Sequence, residues 1–194
     1  DLWQALGASQ GDFQRFIVAP LTARDAFDTM PEIFNLTDRF QTPGIVLSDL
    51  LISEGRYSVD PDDLNMHPEI DRGATITEPS ANGGEYQRYQ FTDNGVSPRA
   101  VAGLEGYVHV VATDEHEENS GLISDEWTNP HKRRRMVEKR ARKIANVVEQ
   151  IAPPELEGPS NADVTLLGCG STYGVIKEAL ELLNEQGVSA NHLP

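Results

Sequence analysis

The fold is decided by residues 16–51, which read FIVAPLTARDAFDTMPEIFNLTDRFQTPGIVLSDLL. The apolar run Phe16 to Ala19 predicts a strand that ends at Pro20. Thr22 follows where the hydroxyl of an N-cap would accept a hydrogen bond from a free helix amide. Gly44 to Leu51 is a mostly apolar run that is typical of a strand buried on both faces. Strand, helix and strand in this order predict two parallel strands joined by a right-handed crossover.

The helix between these strands has an apolar stripe, which has to face a sheet or another helix. Its members recur at helical spacing and are Ala26, Phe27, Met30, Ile33, Phe34 and Phe40. Pro31 lies inside the stripe. Because proline removes one backbone hydrogen bond and crowds the preceding turn, we expect a kink there or a restart of the helix near Thr29.

Residues 54–130 lack a regular apolar period and are rich in Gly, Pro, Asp and Asn. Short strands are predicted only at 86–92 and 107–113. Because long irregular segments are uncommon in compact domains, we expect this one to wrap another surface or to line a site.

A long helix is predicted after Pro130, since proline suits the first helical turn. Its apolar seam consists of Val137, Ala141, Ile144, Val148 and Ile151. Eight of the sixteen Lys and Arg residues of the chain lie between Lys132 and Lys143. We interpret them as the solvated basic face of an ordinary helix, with docking to an acidic partner subunit as the alternative.

A second α/β unit is predicted to start near the end of the sequence. Val164 to Leu167 reads as a strand, Gly168 to Gly174 as a turn and Val175 to Glu185 as a helix that Gly187 ends. One strand and one helix cannot bury a core, and the first residue is Asp1 and not Met. We therefore expect the chain to be an internal fragment of a longer protein.

Composition excludes several classes of function. The net charge is -15, which would repel a nucleic-acid backbone, and no stretch approaches the length of a membrane span. We therefore expect no nucleic acid and no membrane among the partners. The single cysteine, Cys169, rules out an internal disulfide and a multi-cysteine metal site, and it favours a cytoplasmic localisation. The acidic surface is consistent with either a basic partner or a salt-rich habitat.

The turn from Gly168 to Gly174 is the sharpest local motif. It lies between a predicted strand and helix, where exposed amides can bind an anion, so Gly168, Gly170, Ser171 and Thr172 are the candidate anion-binding residues. Its glycines do not follow the dinucleotide fingerprint, because the third comes one residue late. A tight turn without a ligand and a nucleotide-binding module both remain open. We expect Cys169 to be a small buried residue of the turn and not a redox thiol.

The acidic run from Asp114 to Glu118 surrounds His116. Its contiguous spacing does not suit a helical metal site, so a solvated acidic turn is preferred to a metal centre. His116 is kept as a candidate active-site or interface residue.

In this order the segments resemble the alpha subunit of 2-oxoacid:ferredoxin oxidoreductases, in particular of those that act on 2-oxoglutarate. The matching segments are Asp1 to Ala5, Gly11-Asp12, Thr42 to Asp49, Arg88 to Arg99, Val108 to Glu117, Gly121, Ile123-Ser124 and Gly168 to Gly174. Two positions depart from the family pattern, since Thr113 stands in place of glycine and Ala102 in place of proline.

This resemblance implies an α/β fold in three parts. Residues 1–130 would be the C-terminal part of the domain that binds the pyrimidine half of thiamine diphosphate, with a long irregular extension. Residues 131–162 would be a connecting helix and linker, and residues 163–194 the truncated start of a transketolase C-terminal-like domain.

The resemblance also implies an enzyme that oxidatively decarboxylates a 2-oxoacid to acyl-CoA with ferredoxin as electron acceptor. The full enzyme would use thiamine diphosphate, Mg²⁺, an iron–sulfur cluster and coenzyme A, with a beta subunit as partner. In similar enzymes the glutamate that activates the aminopyrimidine, and a Tyr-Pro-Ile-Thr-Pro motif near the substrate, lie upstream of the position of Asp1, and neither motif is found in this sequence. We therefore expect the fragment alone to be inactive, to bind none of these cofactors and to contribute Arg99 and His116 only as active-site neighbours. The alternative is a nucleotide-binding module or a non-catalytic interaction domain.

Overall fold

A computed structural model describes residues 1–9, 11, 13–80, 85–111, 114–123, 130–145 and 147–194. Predictions that concern Asp12, residues 112–113 and Ser124 lie outside these ranges. The helices are α1 (Leu2–Gly7), α2 (Ala23–Phe40), α3 (Leu50–Glu54), α4 (Pro130–Ile144) and α5 (Thr172–Glu185), with 3-10 turns at Pro61–Asp63 and Val147–Glu149. The strands are β1 (Phe16–Val18), β2 (Gly44–Val46), β3 (Thr75–Ile76), β4 (Arg99–Ala100), β5 (Val164–Leu167) and β6 (Ala190–Leu193). In the described ranges, no helix is both long and apolar enough to cross a bilayer.

Strands β1 and β2 pair in parallel, with Phe16 opposite Gly44 and Val18 opposite Val46. Helix α2 connects them, and the hydroxyl of Thr22 caps it by accepting from the amide of Asp25 at 3.0 Å. The predicted strand, helix and parallel strand are therefore confirmed. Asp25 makes a second contact at this end, since its carboxylate accepts from the amide of Leu21, the residue before the cap, at 2.7 Å. These two contacts fix where the helix begins.

The core lies between α2 and this pair of strands. It consists of Phe16, Ile33, Leu36, Phe40 and Val147, and the rings of Phe16 and Phe40 lie 5.8 Å apart. The apolar stripe is only partly correct, because Phe34 is 58% exposed and Leu36, which the stripe omitted, is buried. A restart near Thr29 is wrong, because α2 continues through Pro31.

The strand predicted for Gly44 to Leu51 ends at Val46, and α3 begins at Leu50. The cause is Asp49, whose carboxylate caps α3 by accepting from the amide of Ile52 at 3.0 Å. Leu50 and Leu51 are exposed, so the apolar character of this run does not reflect burial within the chain.

The strands predicted at 86–92 and 107–113 are wrong for the described residues, which form turns and irregular backbone there. The regular pairing in this part of the chain is instead the short parallel ladder of β3 and β4. Side chains hold the irregular backbone. The hydroxyl of Tyr86 donates to the carbonyl of Pro98 at 2.8 Å and accepts from the amide of Ala100 at 3.1 Å.

At the end of the chain β5, the turn and α5 form as predicted, and α5 begins three residues earlier than expected, at Thr172. Gly187 follows the helix with φ of 76°. Strand β6 lies parallel to β5 and completes a second α/β element. The α/β class is thus confirmed, whereas the boundaries proposed between domains stay a prediction.

Candidate functional site

Helix α4 turns part of its basic face inward. Lys139 is only 5% exposed, and its ammonium donates to the carbonyl of Tyr89 at 2.8 Å and to the hydroxyl of Ser97 at 2.6 Å. One turn later, the ammonium of Lys143 donates to the carbonyl of Gln41 at 2.6 Å. The interpretation of a solvated basic face is therefore wrong for these two lysines, because backbone carbonyls replace the water that their charges would need.

The predicted seam on α4 is only partly correct. Ile144 and Ile151 pack against the core, as the seam requires. The helix ends at Ile144, however, and in the 3-10 turn that follows Val147 enters the core while Val148 is 82% exposed. Within α4 the buried positions are Met136 and Lys139, and Val137 is exposed. The inner face of α4 therefore combines an apolar residue with hydrogen-bonded cations.

Both inward-facing lysines have unusual proton affinity. Burial lowers the pKa of Lys139 to about 8, and repulsion from Lys143 and Arg88 adds to the effect. Burial also lowers the pKa of Lys143 to about 8, with further repulsion from Arg140 and Arg88. Ionisable groups perturbed in this way are common at functional sites, where their charge or proton is used.

A series of hydrogen bonds links the residues around these two lysines. Arg88 donates to the side-chain carbonyl of Gln41 at 3.1 Å, and the amide group of Gln41 donates to the carbonyl of Ser97 at 2.6 Å. Ser97, which is buried, donates through its hydroxyl to the carbonyl of Gln90 at 2.9 Å. Gln41 itself has a left-handed backbone with φ of 47° at the end of α2. The end of α2, the loop 88–97 and α4 are thus tied into one polar network.

His116 joins this network through an aromatic contact. Its ring lies 3.8 Å from that of Tyr89, whose carbonyl binds Lys139. Its Nδ1 lies 2.8 Å from the carbonyl oxygen of Asp114. Burial lowers the pKa of His116 below its usual value, so the neutral imidazole predominates at neutral pH. The ring also lines a cavity of about 170 Å³, together with Phe91 and Met136.

The acidic run around His116 is tied to α4 by ion pairs. Glu115 accepts both guanidinium nitrogens of Arg140, at 3.1 and 2.5 Å. Burial alone would raise the pKa of Glu115, but the hydrogen bonds and positive charge of Arg140, together with contacts to His116, outweigh burial, and the pKa ends below its usual value. Glu117 forms an ion pair with Lys132. Across the described ranges, no group of His, Cys, Asp and Glu side chains has the arrangement of a metal site.

Arg99 contacts α2 through an ion pair and does not lie beside His116. Its guanidinium lies 3.2 Å from one carboxylate oxygen of Asp38, and Arg72 lies 2.6 Å from the other. Hydrogen bonding from Arg72, assisted by Arg99, lowers the pKa of Asp38. The two predicted neighbours of an active site thus contact different elements, Arg99 contacting α2 and His116 lying beside α4.

The glycine turn contacts a carboxylate from within the chain. The amide of Ser171 donates to Asp49 at 2.8 Å, and a side chain at Gly170, whose φ is 61°, would begin 3.1 Å from the same oxygen. The hydroxyl of Thr172 donates to the carbonyl of Cys169 at 2.7 Å. An anion role for Gly168, Gly170, Ser171 and Thr172 stays a prediction. The expectation that Cys169 is buried is wrong, because its side chain is exposed at the turn.

The inward-facing lysines were not identified from the sequence as functional candidates. Nor were the residues of the polar network around them, which are Gln41, Arg88, Tyr89 and Ser97. Lys139 and Lys143 lie four residues apart on one side of α4. That spacing, together with buried Met136 three residues before Lys139, was a usable signal of a shared inner face.

Comparisons with known proteins agree on one relationship. The chain is 34% identical to 2-oxoacid:ferredoxin oxidoreductase 2, subunit alpha, of Aeropyrum pernix, over 98% of this chain. It is 31% identical over 99% of its length to 2-oxoglutarate oxidoreductase subunit KorA of Mycobacterium tuberculosis. The chain is related to 2-oxoacid:ferredoxin oxidoreductase alpha subunits. The resemblance carried by the ordered motifs is therefore confirmed.

The solved structures support the same relationship to these alpha subunits. The 2-oxoglutarate:ferredoxin oxidoreductase of Magnetococcus marinus, with 2-oxoglutarate, coenzyme A and succinyl-CoA bound, superposes on the whole chain with a TM-score of 0.77 and 28% identity. This chain covers 32% of that protein, 29% of the Aeropyrum subunit and 28% of the Mycobacterium subunit. No family model matches the chain.

Proposed function

We propose that the chain is a segment of an alpha subunit in an enzyme that oxidatively decarboxylates a 2-oxoacid, 2-oxoglutarate or a similar acid, to acyl-CoA with ferredoxin as acceptor. The observation that carries this proposal is the agreement of sequence and structure over the whole chain with such subunits. The Magnetococcus protein binds 2-oxoglutarate, coenzyme A and succinyl-CoA, which are two substrates and a product of that reaction class. The single cysteine agrees with a cytoplasmic enzyme.

Thiamine diphosphate would supply the carbanion chemistry of this reaction, and the protein would supply placement and electrostatics. The described residues of this chain do not fit the diphosphate and its Mg²⁺. The amide of Ser171 in the glycine turn already donates to Asp49, and no cluster of described carboxylates is arranged for a metal. A single cysteine does not fit an iron–sulfur cluster, which needs several thiolates. We therefore assign these groups to other parts of the enzyme, with the beta subunit as their main carrier.

Exposed apolar side chains support assembly with further protein surface. Trp3 on α1 is 86% exposed, and Leu50 and Leu51 on α3 are also exposed. Large exposed apolar groups of this kind commonly mark interfaces. We propose that they contact the beta subunit or neighbouring parts of the alpha subunit.

The proposed role of this chain in catalysis is to hold the loop that bears Arg99, and His116 beside it, against the active site or the beta subunit. Lys139 supports both, since it binds the carbonyl of Tyr89, on which His116 stacks, and the hydroxyl of Ser97, two residues before Arg99. The loop thus depends on buried charge for its shape.

The experiment compares matched variants in the assembled enzyme, with 2-oxoacid- and CoA-dependent reduction of ferredoxin as the readout. His116→Ala is compared with His109→Ala, because His109 makes the same contact to a carbonyl two residues back and also packs on a tyrosine. Arg99→Ala is compared with Arg72→Ala, because both arginines pair with Asp38.

We expect His116→Ala and Arg99→Ala to lower turnover at least about tenfold and their controls to change it little, since a group near the reacting centre contributes more than a distant one. If the members of each pair lose the same activity, the effect is one of local folding and the placement beside the active site is wrong. Unchanged turnover in both test variants would also refute it.

A further inference from the structure

A cleft with basic walls lies between α4 and the segment that precedes β1. It comprises two adjoining cavities of about 460 and 520 Å³, and both contain Arg140 and Val137 in their walls. Arg133 and Lys143 line the first cavity and Arg15 the second. We call this pair of cavities the basic cleft. Its volume falls in the range of small-molecule pockets.

The charge of the basic cleft is not balanced by the described residues that line it. Glu115 is the one carboxylate among them, and it is already engaged by both guanidinium nitrogens of Arg140. Arg133 has no hydrogen bond or ion pair to any residue in the described ranges, and Lys143 binds a neutral carbonyl. Among the described lining residues, positive charge is therefore in excess, in a chain whose net charge is -15.

Keeping these cations together is unfavourable without a counterion. Burial and then repulsion from Arg140 and Arg88 lower the pKa of Lys143 to about 8, which means that its charged form is destabilised where it stands. An anion bound between Lys143, Arg140 and Arg133 would relieve both the repulsion and the loss of hydration.

We propose that the basic cleft binds a small multivalent oxyanion, a compound with clustered phosphate or carboxylate groups. Arg133 and Arg140 lie two helical turns apart on one side of α4. The planar guanidinium group of Arg133 suits paired oxygens, and Arg140, whose two terminal nitrogens bind Glu115, adds its charge nearby. Lys143 would add a point charge one turn further along. The walls also include Gln14 and the backbone of Gly11, which can contact the uncharged part of such a compound. This inference uses the cleft alone and does not depend on the proposed oxidoreductase function.

The test is calorimetric titration of this 194-residue chain with pyrophosphate and, separately, with citrate at low ionic strength. The informative variant is Arg133→Ala, whose side chain is exposed and is not part of the core. Its matched control is Arg134→Ala, the next residue on the helix, which is 78% exposed at its side chain and pairs with Glu138 outside the cleft. The melting curve of each variant without ligand verifies that it is folded.

We expect binding that weakens with added salt and a dissociation constant at least about tenfold higher in Arg133→Ala, with little change in Arg134→Ala. Tighter binding of pyrophosphate would identify phosphate groups as the natural ligand chemistry, and tighter binding of citrate would identify carboxylates. Failure of both anions to bind overturns the proposal. Equal affinity in the two variants overturns it as well, and so does binding of a glutamate-rich peptide with neither small anion bound.

Discussion

The buried charge of Lys139 gives a quantitative prediction for stability. Its pKa is about 8 in the folded chain and 10.5 in an unperturbed lysine. That difference corresponds to about 3 kcal/mol by which folding disfavours the charged form. Lys139 is only 5% exposed, so little solvent screening reduces this value.

The sign of the pH dependence follows from these two values. Between about pH 8 and pH 10.5 the unfolded chain binds more protons at this residue than the folded chain does, so stability rises with pH. The gain is complete above 10.5 and is lost as the pH falls through 8. From about pH 7 to about pH 9.5 we expect the free energy of unfolding to rise by about 2 kcal/mol through this lysine alone.

The perturbation is Lys139→Met, which keeps the length of the side chain and removes the titrating group. Urea unfolding followed by circular dichroism is measured at both pH values for the wild type and the variant. The wild type should gain about 2 kcal/mol relative to Lys139→Met as the pH rises, because all other titrating groups are common to both. Arg134→Ala removes a charge that does not titrate in this range, and it should behave as the wild type does. Parallel pH curves for the wild type and Lys139→Met would refute the burial of a charged lysine.

Two further predictions concern the packing of the elements. Asp49→Asn should lower the unfolding midpoint, because the carboxylate of Asp49 caps α3 and binds the amide of Ser171. Hydrogen bonds from Ser171 hold the pKa of Asp49 below its usual value, so its contribution to stability is present above the usual pKa and is lost as the pH falls through the lowered pKa. The difference between the variant and the wild type should therefore vanish in acid, where wild-type Asp49 is protonated. Asp60→Asn, which keeps a side-chain oxygen to cap its single local turn, should cost less in the same melting experiment. Gly44→Ala should cost about 1 to 3 kcal/mol in urea unfolding, because its methyl group would lie 2.7 Å from a methyl group of Thr37, whereas Gly7→Ala, with open space around it, should not destabilise.

The parts of the fold that sequence predicted are those decided by local chemistry. Thr22 could be assigned as an N-cap because its hydroxyl, placed just before a segment of helical apolar period, can accept a hydrogen bond from a free helix amide. The parallel pairing of Phe16 with Gly44 follows from the helix that connects the two strands. Gly187 ended α5 as expected, because glycine adopts a positive φ without strain. The order of motifs likewise identified the relatives correctly.

The parts that sequence did not predict depend on partners far away along the chain. Lys139 was taken for a surface residue because a lysine is seldom buried, and its acceptors, Tyr89 and Ser97, lie about fifty residues earlier. In the same way, the strand expected to reach Leu51 was ended by Asp49, whose second oxygen binds the amide of Ser171. Apolar pattern alone carries no information on such distant hydrogen bonds.

His116 was predicted in part from local sequence and in part only from distant contacts. Its position beside acidic residues suggested a role, but the structure places its ring on Tyr89 and in a cavity next to α4. Only the packing of residues 85–111 and 114–123 against α4 could bring these groups together. The sequence indicated only that a histidine is present at position 116. That this histidine is partly buried, with a lowered pKa, could be learned only from the structure.

The central claim is tested most directly by assembling the alpha subunit that contains this segment with its beta subunit and measuring ferredoxin reduction. The claim predicts reduction that requires both a 2-oxoacid and coenzyme A and yields the corresponding acyl-CoA. An assembled complex that retains thiamine diphosphate but reduces no ferredoxin with 2-oxoglutarate or any other 2-oxoacid would contradict it.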